Sequence, residues 1–180
     1  MLFRSSGIVE LSALTGQRRE EVAQMQRDEL DLPQRLWTIP KSRAKNNKPQ
    51  FVQLSFQAIA VLQRQSQRGI FVFSVSGEKP FQEFSKAKRE LDLLSGVTGW
   101  RLHDLRRTCV SGMARLGVAP HVADKILNHQ SGTISGVAAI YQRHQFMAER
   151  KEALERWGAH VAKIIAVAAR EQPSNLPRVA

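Results

Sequence analysis

A single cysteine, Cys109, among 180 residues excludes an internal disulfide and any multi-cysteine metal centre. Its ordinary role is that of a small apolar core residue, and so little cysteine fits a reducing, intracellular setting. Long hydrophobic runs are missing too. No segment approaches the roughly 20 apolar residues needed to span a bilayer, and Met1-Leu2-Phe3-Arg4 lacks the apolar core of a signal peptide. A cytoplasmic protein with no membrane partner is expected. Tyrosine occurs once, at Tyr141. Acidic residues are outnumbered, with Asp+Glu at 16 against Lys+Arg at 27 and a formal net charge of +11. Carboxylates and histidines are not clustered at metal-ligand spacing, which disfavours a metal-dependent nuclease. No metal or other cofactor is expected.

The hydrophobic fraction of 42% is enough for one good core, so a single folded domain is expected. The cationic excess favours a polyanionic partner through long-range attraction and counterion release, with nucleic acid first in line. Charge alone does not separate a DNA enzyme from a ribosomal protein or a membrane-surface binder.

Periodicity supplies the elements. Ile8, Leu11 and Leu14 recur every three positions; after Thr15-Gly16 the pattern restarts with Val22 and Met25, predicting two helices around a tight turn at which Arg18 lies. Residues 35–39 and 50–54 read as strands of a β-hairpin whose tip, from Lys41 to Lys48, is cationic. Phe56, Ile59 and Leu62 mark a helix, Ile70 to Phe73 reads equally as buried strand or loop, and Phe84, Ala87, Leu91 and Leu94 mark another helix. Leu102, Leu105, Cys109, Met113 and Leu116 form one stripe stopped by Gly117, which leaves His103 and Arg106 together on a different face. Pro120 starts a short helix, Asn128 to Gly136 reads as a loop leading to Tyr141, and Leu154, Trp157, Val161, Ile164, Ile165 and Ala168 stripe a long final helix before a frayed tail at 172–180. The fold class is mainly α with a small antiparallel β-sheet.

Chemistry on a phosphodiester without metal needs cations for the non-bridging oxygens, an acid for the leaving alkoxide and a nucleophile. Arg18 at a helix start has the fork geometry to grip a phosphate, although a lone arginine is more often a solvated surface group. His103 and Arg106 offer an imidazole and a permanent cation on one helical turn, a weak signal alone, with Arg107 the neighbour most easily confused with Arg106. His129 in Leu-Asn-His follows a helix end and is as readily a helix-capping or loop residue as a ligand. A single tyrosine usually packs its ring and hydrogen-bonds its hydroxyl.

In order along the chain, these pieces resemble one family. Thr15-Gly16-Gln17-Arg18-Arg19-Glu20-Glu21-Val22 is similar to the first arginine box of the tyrosine recombinases, or phage integrases, with Glu21 in the acidic place. Trp37-Thr38-Ile39-Pro40 followed by Lys45-Asn46 resembles the β-hairpin of prophage and genomic-island integrases; His103-Asp104-Leu105-Arg106-Arg107-Thr108 resembles the His-x-x-Arg box. Leu127-Asn128-His129 resembles the last histidine box, and Ala139-Ile140-Tyr141 the nucleophile segment, preceded by Ser131-Gly132-Thr133-Ile134-Ser135-Gly136. Gln50 stands where relatives often have histidine. The resemblance runs from about Thr15 to about His160.

This resemblance implies a tyrosine recombinase catalytic domain over residues 1–171, with Arg18, Lys45, His103, Arg106, His129 and Tyr141 as catalytic residues. Double-stranded DNA attachment sites are the implied partner, bound by a homotetramer assembled from monomers, with the final helix docking on a neighbouring protomer. The family's amino-terminal DNA-binding domains have no counterpart in these residues, so a fragment or truncated product is expected. The rivals are a type IB topoisomerase, which shares the chemistry, and a catalytically silent DNA-binding or regulatory fragment.

Overall fold

The computed structural model describes residues 2–44, 47–74, 76–128 and 145–171. Seven helices and three strands occur among them: α1 (Leu2–Thr15), α2 (Arg19–Ala23), β1 (Leu30–Asp31), β2 (Leu36–Ile39), β3 (Gln50–Gln53), α3 (Phe56–Gln63), α4 (Phe84–Ser95), α5 (Leu102–Arg115), α6 (Pro120–Ile126) and α7 (Met147–Glu171). A 3-10 turn at Arg27–Glu29 precedes β1. The domain is mainly helical with one small antiparallel sheet, as the sequence pattern implies. No described helix is long and apolar enough to cross a membrane.

The sheet has the order β1-β2-β3, both pairs antiparallel, with Trp37 opposite Val52 and Ile39 opposite Gln50. Alternation turns Trp37, Ile39 and Val52 into the core. Two-residue β1 is too short to leave a period in the sequence. Ile70 to Phe73 forms neither regular strand nor helix. It makes a single bridge, Gln26 to Phe71, while Val72 and Phe73 are buried. Its turn closes by the Ile70 and Phe71 N–H groups donating to the Gly77 carbonyl at 2.8 and 3.0 Å.

Two apolar clusters make up the interior. The first gathers Ile8, Leu11 and Leu14 of α1, Val22, the sheet, α3 and the Val72–Phe73 loop; the second gathers Cys109 and Met113 of α5, Val122 and Ile126 of α6, and Leu154 and Trp157 of α7. Val161 packs against both. Trp157 also joins α7 to α1, its indole N–H donating to the Ala13 carbonyl at 2.8 Å. Its ring lies across Gly112 so closely that a Cβ there would come within 2.0 Å of it. Gly112→Ala is therefore expected to destabilise the domain by about 1–3 kcal/mol through overpacking, seen as a lower urea midpoint. An unchanged midpoint would contradict this helix packing.

Candidate active site

The turn between α1 and α2 is built by side chains folding back on the backbone. The Thr15 hydroxyl donates to the Leu11 carbonyl at 2.6 Å and accepts from the Gln17 N–H at 3.3 Å, which ends α1. Gly16 follows at φ +66, a conformation that disfavours side chains, and a Cβ there would meet Leu127 at 2.9 Å and Cys109 at 3.2 Å. Its carbonyl is thereby turned toward α5. Arg18 then caps α2: its N–H donates to one Glu21 carboxylate oxygen at 2.9 Å and its Nη1 to the other at 3.0 Å. The guanidinium is thus oriented by a buried carboxylate while remaining partly exposed.

Arg106 is 4% exposed. Its Nη1 donates to the Gly16 carbonyl at 2.6 Å and its Nη2 to the Leu127 carbonyl at 2.5 Å. One planar fork therefore joins the Arg18 turn to the end of α6, one residue before Asn128 and two before His129. Burial, and then the neighbouring Arg18 charge, push its pKa down to about 10, against the opposing pull of Glu21. The group stays cationic at neutral pH. Because the shift lowers the value of a cation, the folded state loses this proton before the unfolded chain does as pH rises through about 10. Below that pH the charge is a constant cost, which an anion would relieve. Arg107 points elsewhere and pairs with Asp104 at 2.9 Å. Asp104 itself accepts the Arg101 N–H at 2.8 Å, capping α5 and holding its carboxyl below the usual carboxylate range.

Two buried amides reinforce the junction. Gln17 Nε2 donates to the Thr15 and Ile126 carbonyls, each at 2.9 Å. Gln50, at the start of β3, donates through Nε2 to Gln17 Oε1 at 2.8 Å and to the Ile126 carbonyl at 3.1 Å. Acceptors on both sides fix which end of each amide carries the nitrogen. The Arg18 turn, the hairpin strand and the end of α6 meet at this point. At the hairpin tip, Arg43 donates to the Glu21 carbonyl at 3.2 Å and pairs with the Glu29 carboxylate, which also accepts the Trp37 indole N–H at 3.0 Å.

These ties leave a cavity of about 340 Å³ lined by Gln17, Arg18, Arg19, Glu20, Arg101, Leu102, His103 and Arg106. Four arginines and one glutamate, Glu20, are among these lining residues; the Arg19 guanidinium pairs with Glu20 and lies over the Phe84 ring, and Arg18 pairs with Glu21. Such a cleft suits a phosphate: the charges are fixed before the anion arrives. Of the six residues expected to act, Arg18, His103 and Arg106 line this cavity, while Lys45, His129 and Tyr141 lie outside the described residues. Sequence reasoning missed the buried Gln17, the half-buried Arg43 and the cavity positions of Arg19 and Arg101. Polar side chains, whether buried like Gln17 or exposed like Arg19 and Arg101, carry no hydrophobic period by which to find them.

The sequence profile described as the phage integrase family matches residues 2–147. The chain belongs to that family. The prophage integrase IntA of Escherichia coli strain K12 is 29% identical over 149 residues, covering 80% of this chain and 35% of that protein. The integrase of Salmonella phage P22 is 26% identical over 125 residues, covering 62% of this chain and 32% of its own. The chain thus spans about a third of the length of these curated relatives. Among solved structures, the integrase from mycobacterium phage Brujita superposes with a TM-score of 0.67 at 23% identity, covering 86% of this chain and 52% of that one. XerA recombinase superposes at 0.56 with 19% identity, covering 82% and 57%. Both share the fold of this integrase-family domain.

If the cavity holds an anion, sulfate should raise the melting temperature of this integrase-family chain over chloride at matched ionic strength, as any ligand specific to the folded state does. Arg18→Ala should remove that increment. An equal rise in the variant would mean that the ion acts elsewhere.

Proposed function

We propose that the chain is the catalytic domain of a site-specific tyrosine recombinase, spanning residues 1–171, that cleaves and rejoins DNA through a 3′-phosphotyrosyl intermediate. The observation that carries this reading is the cavity in which Arg18, His103 and the carbonyl-tied Arg106 face one volume. In the proposed reaction, Arg18, Arg106 and His129 neutralise the non-bridging oxygens of the scissile phosphate. The Tyr141 oxygen attacks phosphorus, the bond to the 5′ oxygen breaks, and the phenolic proton passes to His103. Phenol, with a reference pKa of about 10, needs such a base and a cationic surrounding at neutral pH. Lys45 protonates the departing 5′ oxygen. Because one phosphate ester replaces another, a second strand's 5′-hydroxyl can reverse the step and complete strand exchange without an external energy source.

Partners in this reading are double-stranded attachment sites and further copies of the chain, four on two duplexes. The apolar far half of α7, with Ile164 53% and Ile165 60% exposed, supports docking on a neighbouring protomer. The same chemistry serves a supercoil-relaxing topoisomerase; the match to integrases favours recombination.

A nicked suicide duplex incubated with a chelator and run on a denaturing gel tests the chemistry. The expected result is a chelator-resistant covalent adduct with the unsubstituted chain and none with Tyr141→Phe. DNA binding without any adduct would contradict it and favour a silent DNA-binding fragment.

A further inference from the structure

Arg150, in the first turn of α7, is, with Arg106, one of two deeply buried cations among the described residues, 3% exposed, and it does not line the cavity. Burial lowers its pKa to about 10, so it too carries its charge inside the fold. No carboxylate pairs with it among the described residues. Its Nη2 donates to the Phe51 carbonyl on β3, and its Nη1 reaches the Gln145 carbonyl and the Met147 sulfur, each at 3.4 Å. A charge buried at such cost on backbone carbonyls fixes geometry rather than adding net stability.

The location gives that geometry a use. Gln145 and Phe146 are the first described residues after Tyr141, four and five positions along the chain. Phe146 adopts φ 48, strained for a residue with a side chain, and its carbonyl accepts the Arg150 N–H at 2.8 Å. Its ring rests on His121 of α6, with centroids 4.7 Å apart. Backbone, ring and guanidinium thus lock the chain where it leaves the tyrosine segment. The guanidinium ties that point to β3, whose first residue, Gln50, belongs to the amide junction beside the cavity.

We propose that Arg150 is a positioning residue for the nucleophile: by tying Gln145 to the Phe51 carbonyl it sets the point from which the Tyr141 segment is presented to the phosphate. It touches no reacting atom and acts through the backbone. The inference rests on the recombinase reading and on Tyr141 as nucleophile. Lysine cannot replace it, because a single ammonium does not present a planar fork to two carbonyls.

A small external nucleophile separates positioning from general structural damage. Hydroperoxide anion can attack the phosphate in place of the phenol, break the bond to the 5′ oxygen and release the 5′-hydroxyl, so it bypasses the tyrosine but still needs the cationic cavity. At saturating suicide DNA, Arg150→Lys and Arg150→Gln are expected to slow tyrosyl adduct formation by about tenfold or more, as a misplaced nucleophile does. When either change is added to Tyr141→Phe, peroxide-driven cleavage should stay within about threefold of Tyr141→Phe alone. Equal loss of both activities, an unchanged adduct rate, or failure of both Arg150 variants to give a cooperative melt would overturn the proposal. If the unsubstituted chain forms no adduct, or Tyr141→Phe shows no peroxide cleavage, the recombinase reading itself fails and this proposal falls with it.

Discussion

The guanidinium of Arg106, held between the carbonyls of Gly16 and Leu127, ties together parts of the chain that share no secondary structure. A charged donor to a carbonyl contributes about 1.5–3 kcal/mol, and leaving a buried carbonyl without its donor costs a similar amount. Two such bonds on one side chain make the position of the Arg18 turn depend on the end of α6, and the reverse. The same residue also lines the cavity and brings its charge there. One residue thus shapes the pocket and charges it: burial lowers its pKa to about 10, Glu21 opposes the shift, and the group stays cationic at neutral pH.

The same device recurs around the domain. Arg43 ties the cationic hairpin to the Glu21 carbonyl and to Glu29, Arg150 ties the start of α7 to β3, and Arg27 ties the Gly69 loop through its carbonyl at 3.0 Å. Gln17 and Gln50 do so without charge. A helical domain of modest size, whose sheet has three short strands among the described residues, holds the segments around its cavity with polar cross-ties as well as with strand pairing. The Gln50 amide oxygen has no partner among the described residues, so the junction is not optimised for stability alone.

Much of this was legible in the residues. The stripe of Leu102, Cys109 and Met113 marked α5 and put His103 and Arg106 off its apolar face. Thr15-Gly16 marked the turn and Pro120 the start of α6. The choice between Arg106 and Arg107 follows from packing: Arg106 points at carbonyls from distant segments, Arg107 at its own helix. Ile70 to Phe73 had no readable class because its burial is enforced by a loop closing on Gly77, without a repeating pattern. The amide junction was invisible for a related reason, since Gln17 and Gln50 meet the Ile126 carbonyl across 109 and 76 positions. No local rule announces a polar side chain whose partner lies so far along the chain.

The dual role of Arg106 sets the most direct test: cleavage of a suicide duplex whose scissile phosphate carries a neutral methylphosphonate, compared with the ordinary phosphodiester. If the guanidiniums serve to neutralise phosphate charge, the rate penalty of Arg18→Ala should shrink by about tenfold or more on the neutral substrate. Arg106→Ala should keep a larger residual penalty, because the Gly16 and Leu127 carbonyls still lose their donor. Penalties equally large on both substrates would mean that neither arginine faces the reacting phosphate, and the account would be wrong at its centre.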